Sequence, residues 1–182
     1  MNAIDLLTRR QSNAALCEPA PSEEHLDLIL QAGMRVPDHG ALLPWQFTII
    51  KEQGLEKLAN IYFSALESSG AEQAKLEKAK KMPFRAPMII TVTTQFVEHE
   101  KVPKQEQLIA AGCTVHAMQM AAYALGYGAI WRTGELSYNG DVKSALGIEA
   151  SEEIVGFLYI GSKTKELPTK PIKSYENKVK YL

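Results

Sequence analysis

The segment Leu108–Leu125 contains eighteen consecutive residues without Asp, Glu, Lys or Arg. That length reaches the threshold for a helix that spans a membrane. The segment also contains Gly112, His116 and Gln119, however, and it is rich in alanine rather than leucine, which favours a helix buried in a folded core. We therefore predict a helix over about Gln105–Leu125 that other elements cover on most sides, and no membrane association.

Small side chains surround much of this predicted helix, so a second helix could approach it closely on more than one side. They are Ala110, Ala111, Gly112, Ala117, Ala121 and Ala122. A helix this apolar is poorly suited to the surface of a monomer, which predicts a symmetric homodimer built partly on it. The alternative is a large core within one chain, which would bury the same residues.

The composition is typical of a globular protein. The chain has 182 residues, of which 46% are hydrophobic and 23% charged, and it is long enough to bury a sizeable core. We predict a single domain over residues 1–182. The net charge of −1 gives no overall field to attract nucleic acid or an anionic membrane, so neither is an expected partner.

The cysteines and the N-terminal residues indicate a reduced, cytoplasmic protein. Cys17 and Cys113 do not form a C-x-x-C pair, and two cysteines are too few for a disulfide framework at this size. Asp5 lies in the first turn, and no continuous apolar segment follows Arg9 and Arg10. A secretory or twin-arginine signal is therefore not expected.

Helical and strand patterns are mixed along the chain, which predicts an α+β or three-layer α/β fold with four or five strands. The predicted strands are "WQFTII", "APMIITVTT", "GAIWRTG" and "EEIVGFLYIGS". The predicted helices are 3–10, 22–33, 55–67, 72–82, 105–125 and 139–146. Residues 162–182 form a basic tail with six lysines and two glutamates, either disordered or laid along another surface.

The loop in "RVPDHGALLPWQFTII" is unusually long. About ten residues separate the helix ending near Gly33 from Trp45, where a median connection has about 4–6. Pro37 and Gly40 favour defined turns and would present Asp38 and His39 between them. Such a loop is too polar and too long to be a plain connector, which indicates a binding role.

Several kinds of chemistry are excluded by their missing motifs. A phosphate-binding P-loop is absent, and "GYGAIW" fails the dinucleotide fingerprint because Trp131 replaces the third glycine. The histidines and cysteines lack metal-ligand spacing. Cys113 and His116 are three residues apart and could form a thiolate pair, although a buried cysteine beside a core histidine is the simpler interpretation.

Polar and planar side chains remain at the ends of several predicted elements. Each has a plain structural alternative, because surface arginines are common, Ser12 could simply end a helix, and Trp131 could belong to the core. Taken together, they suggest binding of an anionic, planar ligand. They are Arg9, Arg10, Ser12, Arg35, His39, Trp131, Arg132, Thr133 and Gly134.

In this order, the residues resemble the nitroreductase family of FMN-dependent oxidoreductases, and most closely its small bacterial branch of minimal-length NAD(P)H nitroreductases. The resemblance covers almost the whole chain. It rests on "RRQS", "VPDHGALLPWQF", "AAGCTVHAMQMAAYALGYGAIWRTG" and "EEIVGFLYIGS". The Pro-Trp pair of the loop and the glycine-rich turn into Trp131 are the most specific parts.

The resemblance implies an intertwined homodimer with a central mixed sheet flanked by helices and two FMN sites at the subunit interface. Arg10, Gln11 and Ser12 would bind the flavin from one chain, and Arg35 and His39 would reach it from the partner. Trp131, Arg132 and Thr133 would pass over the ring. A backbone N–H near Thr133 or Gly134 would reach flavin N5.

A second implied site is for the hydride donor, NAD(P)H. The resemblance assigns it to Ala121, Ala122, Tyr123, Ala124, Leu125 and Gly126, although packing alone would also explain such small residues. This sequence departs from the family pattern at Gln11, where an arginine is frequent, and at Ala41 and Leu43, where asparagine and glutamine are common. Lys163 or Lys165 could replace the C-terminal phosphate ligand of larger members, or neither.

The implied reaction is hydride transfer from NAD(P)H through flavin N5 to a nitro compound, a quinone or a similar acceptor by a ping-pong mechanism. A guanidinium near N1 and O2 would favour the reduced, anionic flavin. The alternative is a flavin-fold dimer that binds or senses a ligand without turnover. A third interpretation, an enzyme with Cys113 as its nucleophile, would require a reactive thiol.

Overall fold

The computed structural model describes residues 2–182, in which helices cover both faces of a five-stranded sheet. The helices are α1 Ala3–Arg9, α2 Glu23–Gly33, α3 Gln53–Ser68, α4 Gln73–Lys81, α5 Lys104–Ala124, α6 Glu135–Tyr138 and α7 Gly140–Ala145. The strands are β1 Leu16–Cys17, β2 Trp45–Lys51, β3 Met88–Thr94, β4 Gly128–Arg132 and β5 Ile154–Lys163. The predicted elements are all present, and the very short β1 and α6 were not predicted.

Strand β5 is the centre of the sheet. Strand β3 pairs along one edge of β5, with Ile89 opposite Tyr159, and β4 pairs along the other edge, with Ile130 opposite the same residue. Strand β2 lies outside β3, and β1 pairs with the last residues of β5, where Leu16 faces Lys163. This arrangement places the carboxyl end of β4 beside the middle of β5.

The expectation of a mixed sheet is wrong for this chain, because every pairing within residues 2–182 is antiparallel. Strands β3 and β4 do run in the same direction and are joined by the single helix α5, as in a parallel unit. They are not neighbours, however, because β5 lies between them and opposes both. Strands β2 and β3 are joined by the two helices α3 and α4, and they pair in opposite directions.

Alternation along the strands divides the core between the two faces of the sheet. Ile89, Phe157 and Tyr159 face the side covered by α3, α6 and α7. Ile90, Leu158 and Ile160 face the side covered by α2 and α5. The same alternation sends successive residues of β4 to opposite faces, and this decides which of its side chains can share a site.

Helix α5 is a core helix, as its uncharged sequence predicted. It packs on α2, where a Cβ at Gly33 would lie only 3.0 Å from Met118 Cγ, so the missing side chain sets the close approach of the two helices. Within residues 2–182 no helix is both long and apolar enough to cross a membrane. One stripe of α5 is incompletely covered; it consists of Leu108, Ile109, Gly112, Cys113 and His116.

The first residues of the basic tail lie along the N-terminal segment. The Thr164 N–H donates to Ala15 O at 3.0 Å, which extends the pairing of β1 with β5 by one step. From Thr169 onward every residue is exposed, and Glu176–Lys178 is a short 3₁₀ turn. The tail therefore consists of a docked beginning and an uncovered remainder.

Candidate functional site

A cleft of about 430 Å³ opens between the end of α1, helix α5 and the end of β4. Its volume lies within the usual range of small-molecule sites, about 300–1,000 Å³. Arg10 Nη1 donates to Ser12 Oγ at 3.4 Å, and Gln119 Nε2 donates to the same oxygen at 3.4 Å. The lining residues are Arg10, Ser12, His116, Gln119, Trp131 and Thr133.

The N-terminal segment leaves α1 in an extended conformation, which decides where its side chains lie. Arg10 follows the helix with φ −52° and ψ 138°. In extended chain successive side chains alternate, so Arg10 and Ser12 line the cleft while Gln11 lies in a separate cavity of about 30 Å³ with Tyr123 and Lys163. Gln11 Nε2 donates to Pro168 O at 3.0 Å, which ties it to the tail.

Trp131 forms one wall of the cleft, and Gly156 leaves the space that it occupies. A Cβ at Gly156 would overlap the indole nitrogen, and a Cβ at Gly112 would lie 3.7 Å from the far edge of the ring. The indole Nε1 donates to Val155 O at 3.2 Å. Trp131 is 36% exposed, so it is a wall of the cleft rather than a core residue.

The structure does not bring the Arg132 side chain into this cleft. Because it follows Trp131 on β4, Arg132 lies on the other face of the sheet, with its guanidinium carbon 5.5 Å from the centre of the Tyr159 ring. Burial raises the pKa of the Tyr159 phenol, and the positive charges of Arg132 and Arg85 partly oppose that rise. Arg132 Nε is buried without a hydrogen-bond partner among the described residues.

Thr133 and Gly134 line a second cavity of about 670 Å³, separate from the cleft. Thr133 lines both, and Gly134 has φ +128°, a backbone conformation that favours glycine. Lys75 Nζ lies 2.7 Å from Glu135 Oε2 across the rim of the second cavity. Its lining residues are Leu66, Glu72, Ala74, Lys75, Lys78, Met82, Thr133, Gly134, Glu135 and Leu136.

His39 lies at the N-terminal end of α5, away from the cleft. His39 Nδ1 is 2.7 Å from Glu106 Oε2 in the first turn of that helix. His116, which lines the cleft, is ten residues further along, or about 15 Å at 1.5 Å per residue. A single chain therefore does not bring His39 to the cleft that contains Arg10 and Ser12.

The loop that carries His39 has a defined internal geometry. Asp38 Oδ2 accepts the Leu43 N–H at 2.7 Å, and the Ala41 N–H donates to Asp38 O at 3.2 Å. Ala41 and Leu43 have φ of +52° and +50°, in the left-handed region that costs residues other than glycine about 1–2 kcal/mol. The loop is therefore closed by one carboxylate and held at some cost in backbone energy.

The predicted NAD(P)H segment ends α5 and begins the turn into β4. Ala122 is fully buried, and Gly126 has φ +93°. Tyr123 lies beside Lys163, whose Nζ is 5.7 Å from the ring centre and 3.0 Å from Glu166 Oε1. The segment thus adjoins the small Gln11 cavity. Its assignment stays a prediction, as does that of Lys163 or Lys165 as a phosphate ligand.

Cys113 and the histidines form no further site in the part of the chain that the structure describes. Residues 2–182 contain no group of three or more His, Cys, Asp and Glu side chains that could hold a metal ion. Cys17 and Cys113 are both free thiols. Cys113 is half-buried and belongs to the incompletely covered stripe of α5.

This combination of an antiparallel sheet, a long apolar helix and a cleft at the end of β4 defines an α+β protein of nitroreductase-like fold. A nitroreductase-like family protein from Bacillus cereus superimposes with a TM-score of 0.87 at 20% identity, covering 100% of this chain and 96% of that chain. A Desulfovibrio desulfuricans protein crystallised in complex with FMN superimposes with a TM-score of 0.70 at 22% identity, covering 94% and 93%.

The chain belongs to the nitroreductase family, whose sequence model matches residues 7–162. YdjA from Escherichia coli (strain K12), which is named as an NAD(P)H nitroreductase, is 46% identical over 162 residues, or 89% of this chain and 88% of YdjA. The family predicted from the sequence is confirmed, and with it the enzyme class, an oxidoreductase of the nitroreductase family.

Most lining residues of the two cavities were not predicted as part of a site, and four of them are polar or basic side chains of α4 and α5. His116 and Gln119 are polar residues three apart in the uncharged part of α5. Polar side chains on one face of an apolar helix could have predicted that this face lines a site. Lys75 and Lys78 line the larger cavity, but their helix has many charges, so nothing distinguished them from a solvated face.

Proposed function

We propose that the protein is an FMN-dependent NAD(P)H oxidoreductase that reduces a nitro compound, a quinone or a similar acceptor. The observation that carries this proposal is a cleft lined by the Arg10 guanidinium, the Ser12 hydroxyl and the Trp131 indole. An anion-binding group beside a planar wall suits a ligand that has a phosphate and an aromatic ring system. Family membership and the relative's name support the same reaction class.

The residues present fit FMN on three counts. Arg10 forms no ion pair with a carboxylate among the described residues, so its charge is available to a phosphate, which guanidinium groups bind well. Gly156 leaves the space that the Trp131 indole occupies beside the cleft. The cleft itself has a volume of about 430 Å³, which lies within the usual range of sites for small molecules.

In the proposed roles, Arg10 and Ser12 bind and orient the anionic part of the cofactor. Trp131 and the Thr133–Gly134 turn cover its ring and exclude water from one side. FMN supplies the chemistry itself when bound, accepting a hydride from NAD(P)H and passing it to the acceptor. The segment 121–126 is the proposed nicotinamide-nucleotide contact. Arg132 would contribute its backbone, because its side chain lies on the opposite face of the sheet.

We further propose an intertwined homodimer in which Arg35 and His39 of one chain complete the site of the other. The separation of the two halves along α5 supports this, since one chain alone leaves the loop far from the cleft. Exposed apolar surface supports it as well: Ile4 and Leu7 of α1 are 68% and 62% exposed, and Ile109 of α5 is 59% exposed.

Colour and anaerobic reduction test the function directly. The purified protein is expected to bind FMN, to be yellow, and to be bleached by NADH or NADPH without oxygen. Initial rates with nitroaromatic and quinone acceptors are expected to give the parallel double-reciprocal lines of a ping-pong reaction. A protein that FMN cannot reconstitute, or that binds FMN without reduction by either nucleotide, would instead support ligand binding without turnover.

Sedimentation tests the shared site. We expect a dimer that holds two FMN per dimer and loses FMN when it dissociates. A monomer that retains stoichiometric FMN at micromolar concentration would contradict the contribution of a partner chain.

A further inference from the structure

Asn13 is a buried polar residue next to the cleft that the proposed mechanism does not use. It is 3% exposed, and asparagine at that depth requires hydrogen-bond partners. Its backbone N–H donates to Ala129 O on β4 at 3.0 Å. Its side chain bonds to the tail and to its own segment: Nδ2 donates to Lys165 O at 3.3 Å, and Oδ1 accepts the Ala15 N–H at 2.9 Å.

The Ala129 carbonyl oxygen on β4 accepts two hydrogen bonds. It accepts from Asn13 N–H at 3.0 Å and from Gln119 Nε2 at 3.2 Å. Gln119 Nε2 also donates to Ser12 Oγ at 3.4 Å. The Ala129 oxygen therefore binds the Asn13 backbone directly and the Ser12 side chain through Gln119.

The docked beginning of the tail encloses the segment from the other side. Besides the Lys165 carbonyl at Asn13, Gln11 Nε2 donates to Pro168 O at 3.0 Å, and Thr164 N–H donates to Ala15 O at 3.0 Å. The N-terminal segment is thus held between β4 and residues 164–168. Contacts to the tail occur at residues 11, 13 and 15, which alternate with the cleft-facing Arg10 and Ser12.

We propose that Asn13 and tail residues 164–168 form a clasp that positions Arg10 and Ser12 for the anionic group of the bound cofactor. Asn13 is a positioning residue, because it acts through its neighbours and does not line the cleft. This inference rests on the proposed function for its ligand, but the clasp itself is a property of the free protein. It also assigns a role to the part of the tail that lies beyond the family match at residue 162.

The first measurement is hydrogen exchange of the protein without FMN. Thr164→Pro removes two donors to Ala15 O, the backbone N–H and the side-chain hydroxyl, at an exposed position. Asn13→Ala removes both side-chain bonds of Asn13. Each is expected to accelerate amide exchange in residues 10–15. Asn139→Ala serves as the matched control, since it removes the helix cap that Asn139 provides to the Asp141 and Val142 N–H groups without touching the clasp. Unchanged exchange at residues 10–15 in both clasp variants would overturn the proposal, whether or not FMN binds.

The second measurement is FMN affinity in a double-mutant cycle. Asn13→Ala is expected to weaken FMN binding about tenfold in the otherwise native chain, in keeping with the loss of a buried hydrogen-bonding group. Its effect is expected to shrink to about twofold in an Arg10→Ala background, because its consequence passes through Arg10. Thr164→Pro should follow the same pattern more weakly, and it substitutes for Asn13→Ala if that variant fails to fold.

Equal factors in both backgrounds would show a general loss of stability and would overturn the positioning role. A weakening by Asn139→Ala as large as that by Asn13→Ala would do the same. A wild-type protein that does not bind FMN would refute the proposed function instead, and the exchange experiment would then decide the clasp alone.

Discussion

Two regions of the sequence are proposed to meet at each flavin, one from each chain of the dimer, and they are built in opposite ways. The N-terminal segment that carries Arg10 and Ser12 is held between β4 and the tail by hydrogen bonds to other parts of its own chain. The loop that carries Arg35 and His39 is closed mainly on itself, through Asp38 and the Leu43 N–H. Contacts with other parts of the chain hold the first region in the free protein. The second region has a defined turn of its own, but its His39 side chain is exposed.

The difference shows that two segments of one family pattern can belong to the same kind of site and still lie apart within a single chain. Both regions belong to the same family pattern, yet about 15 Å of helix separates the His39–Glu106 contact from the cleft. Surface pairs such as His39 and Glu106, with side chains 60% and 47% exposed, contribute little by themselves. A partner chain would give the loop the contacts that its own chain does not.

The largest expected effect falls on the fixed region. Arg10→Ala removes a charge-assisted contact to a phosphate, which is worth about 1.5–3 kcal/mol and therefore weakens FMN binding at least tenfold. Fluorescence titration of the apoprotein measures it, with Arg9→Ala as the control, since Arg9 pairs with Asp5 on α1 at 3.2 Å. An unchanged dissociation constant would remove Arg10 from the site.

Mixing subunits tests whether the two regions act across the interface. A heterodimer of an Arg10→Ala chain and a His39→Ala chain would have one site with both defects and one with neither, so about half of the wild-type FMN should remain tightly bound. If His39 acts within its own chain, each site would have a single defect. Uniformly weakened sites would therefore contradict the cross-subunit assignment and leave the family membership intact.

Asp38→Ala is expected to lower the free energy of unfolding by about 1–2 kcal/mol, because it removes the acceptor of the Leu43 N–H. Asp38→Asn keeps an acceptor oxygen at that place and should lose less. Chemical denaturation of the apoprotein compares the two. A loss as large in Asp38→Asn as in Asp38→Ala would mean that the carboxylate does not close the loop through this bond.

The smallest expected effect is a gain. Ala41→Asn places a residue that tolerates the left-handed region at φ +52°, and it should raise the free energy of unfolding by about 0.5–1 kcal/mol. Ala41→Val, with a branched Cβ at the same position, should lower it. Thermal unfolding of both variants decides the point, and equal shifts would show that the backbone at residue 41 stores no strain.

The sequence predicted the elements that have strong periodicity and missed those defined by tertiary contacts. Helix α5 and strand β3 are long and continuously apolar, so their burial was readable. Strand β1 has two residues and α6 has four, which is too short for any period. The direction of the pairings was misjudged, because the insertion of β5 between β3 and β4 is not a local property of either strand.

The site was predicted only in part for a related reason. Arg10 and Ser12 were identified by the family pattern, and the structure places both in one cleft with Trp131 and Thr133. Strand alternation alone would have placed Trp131 and Arg132 on opposite faces, yet the motif grouped them. His116 and Gln119 come from a helix distant in sequence, so only the packing of α5 against β4 shows that they share the cleft.

The position of the Trp131 indole makes occupancy of the cleft measurable by tryptophan fluorescence. The chain has two tryptophans; Trp45 is 5% exposed beside the loop, and Trp131 is a wall of the cleft. A Trp45→Phe variant would leave a single emitter held by Val155 O. Its emission would be quenched as a flavin fills the cleft and would recover on release, so occupancy could be followed in real time without any added label.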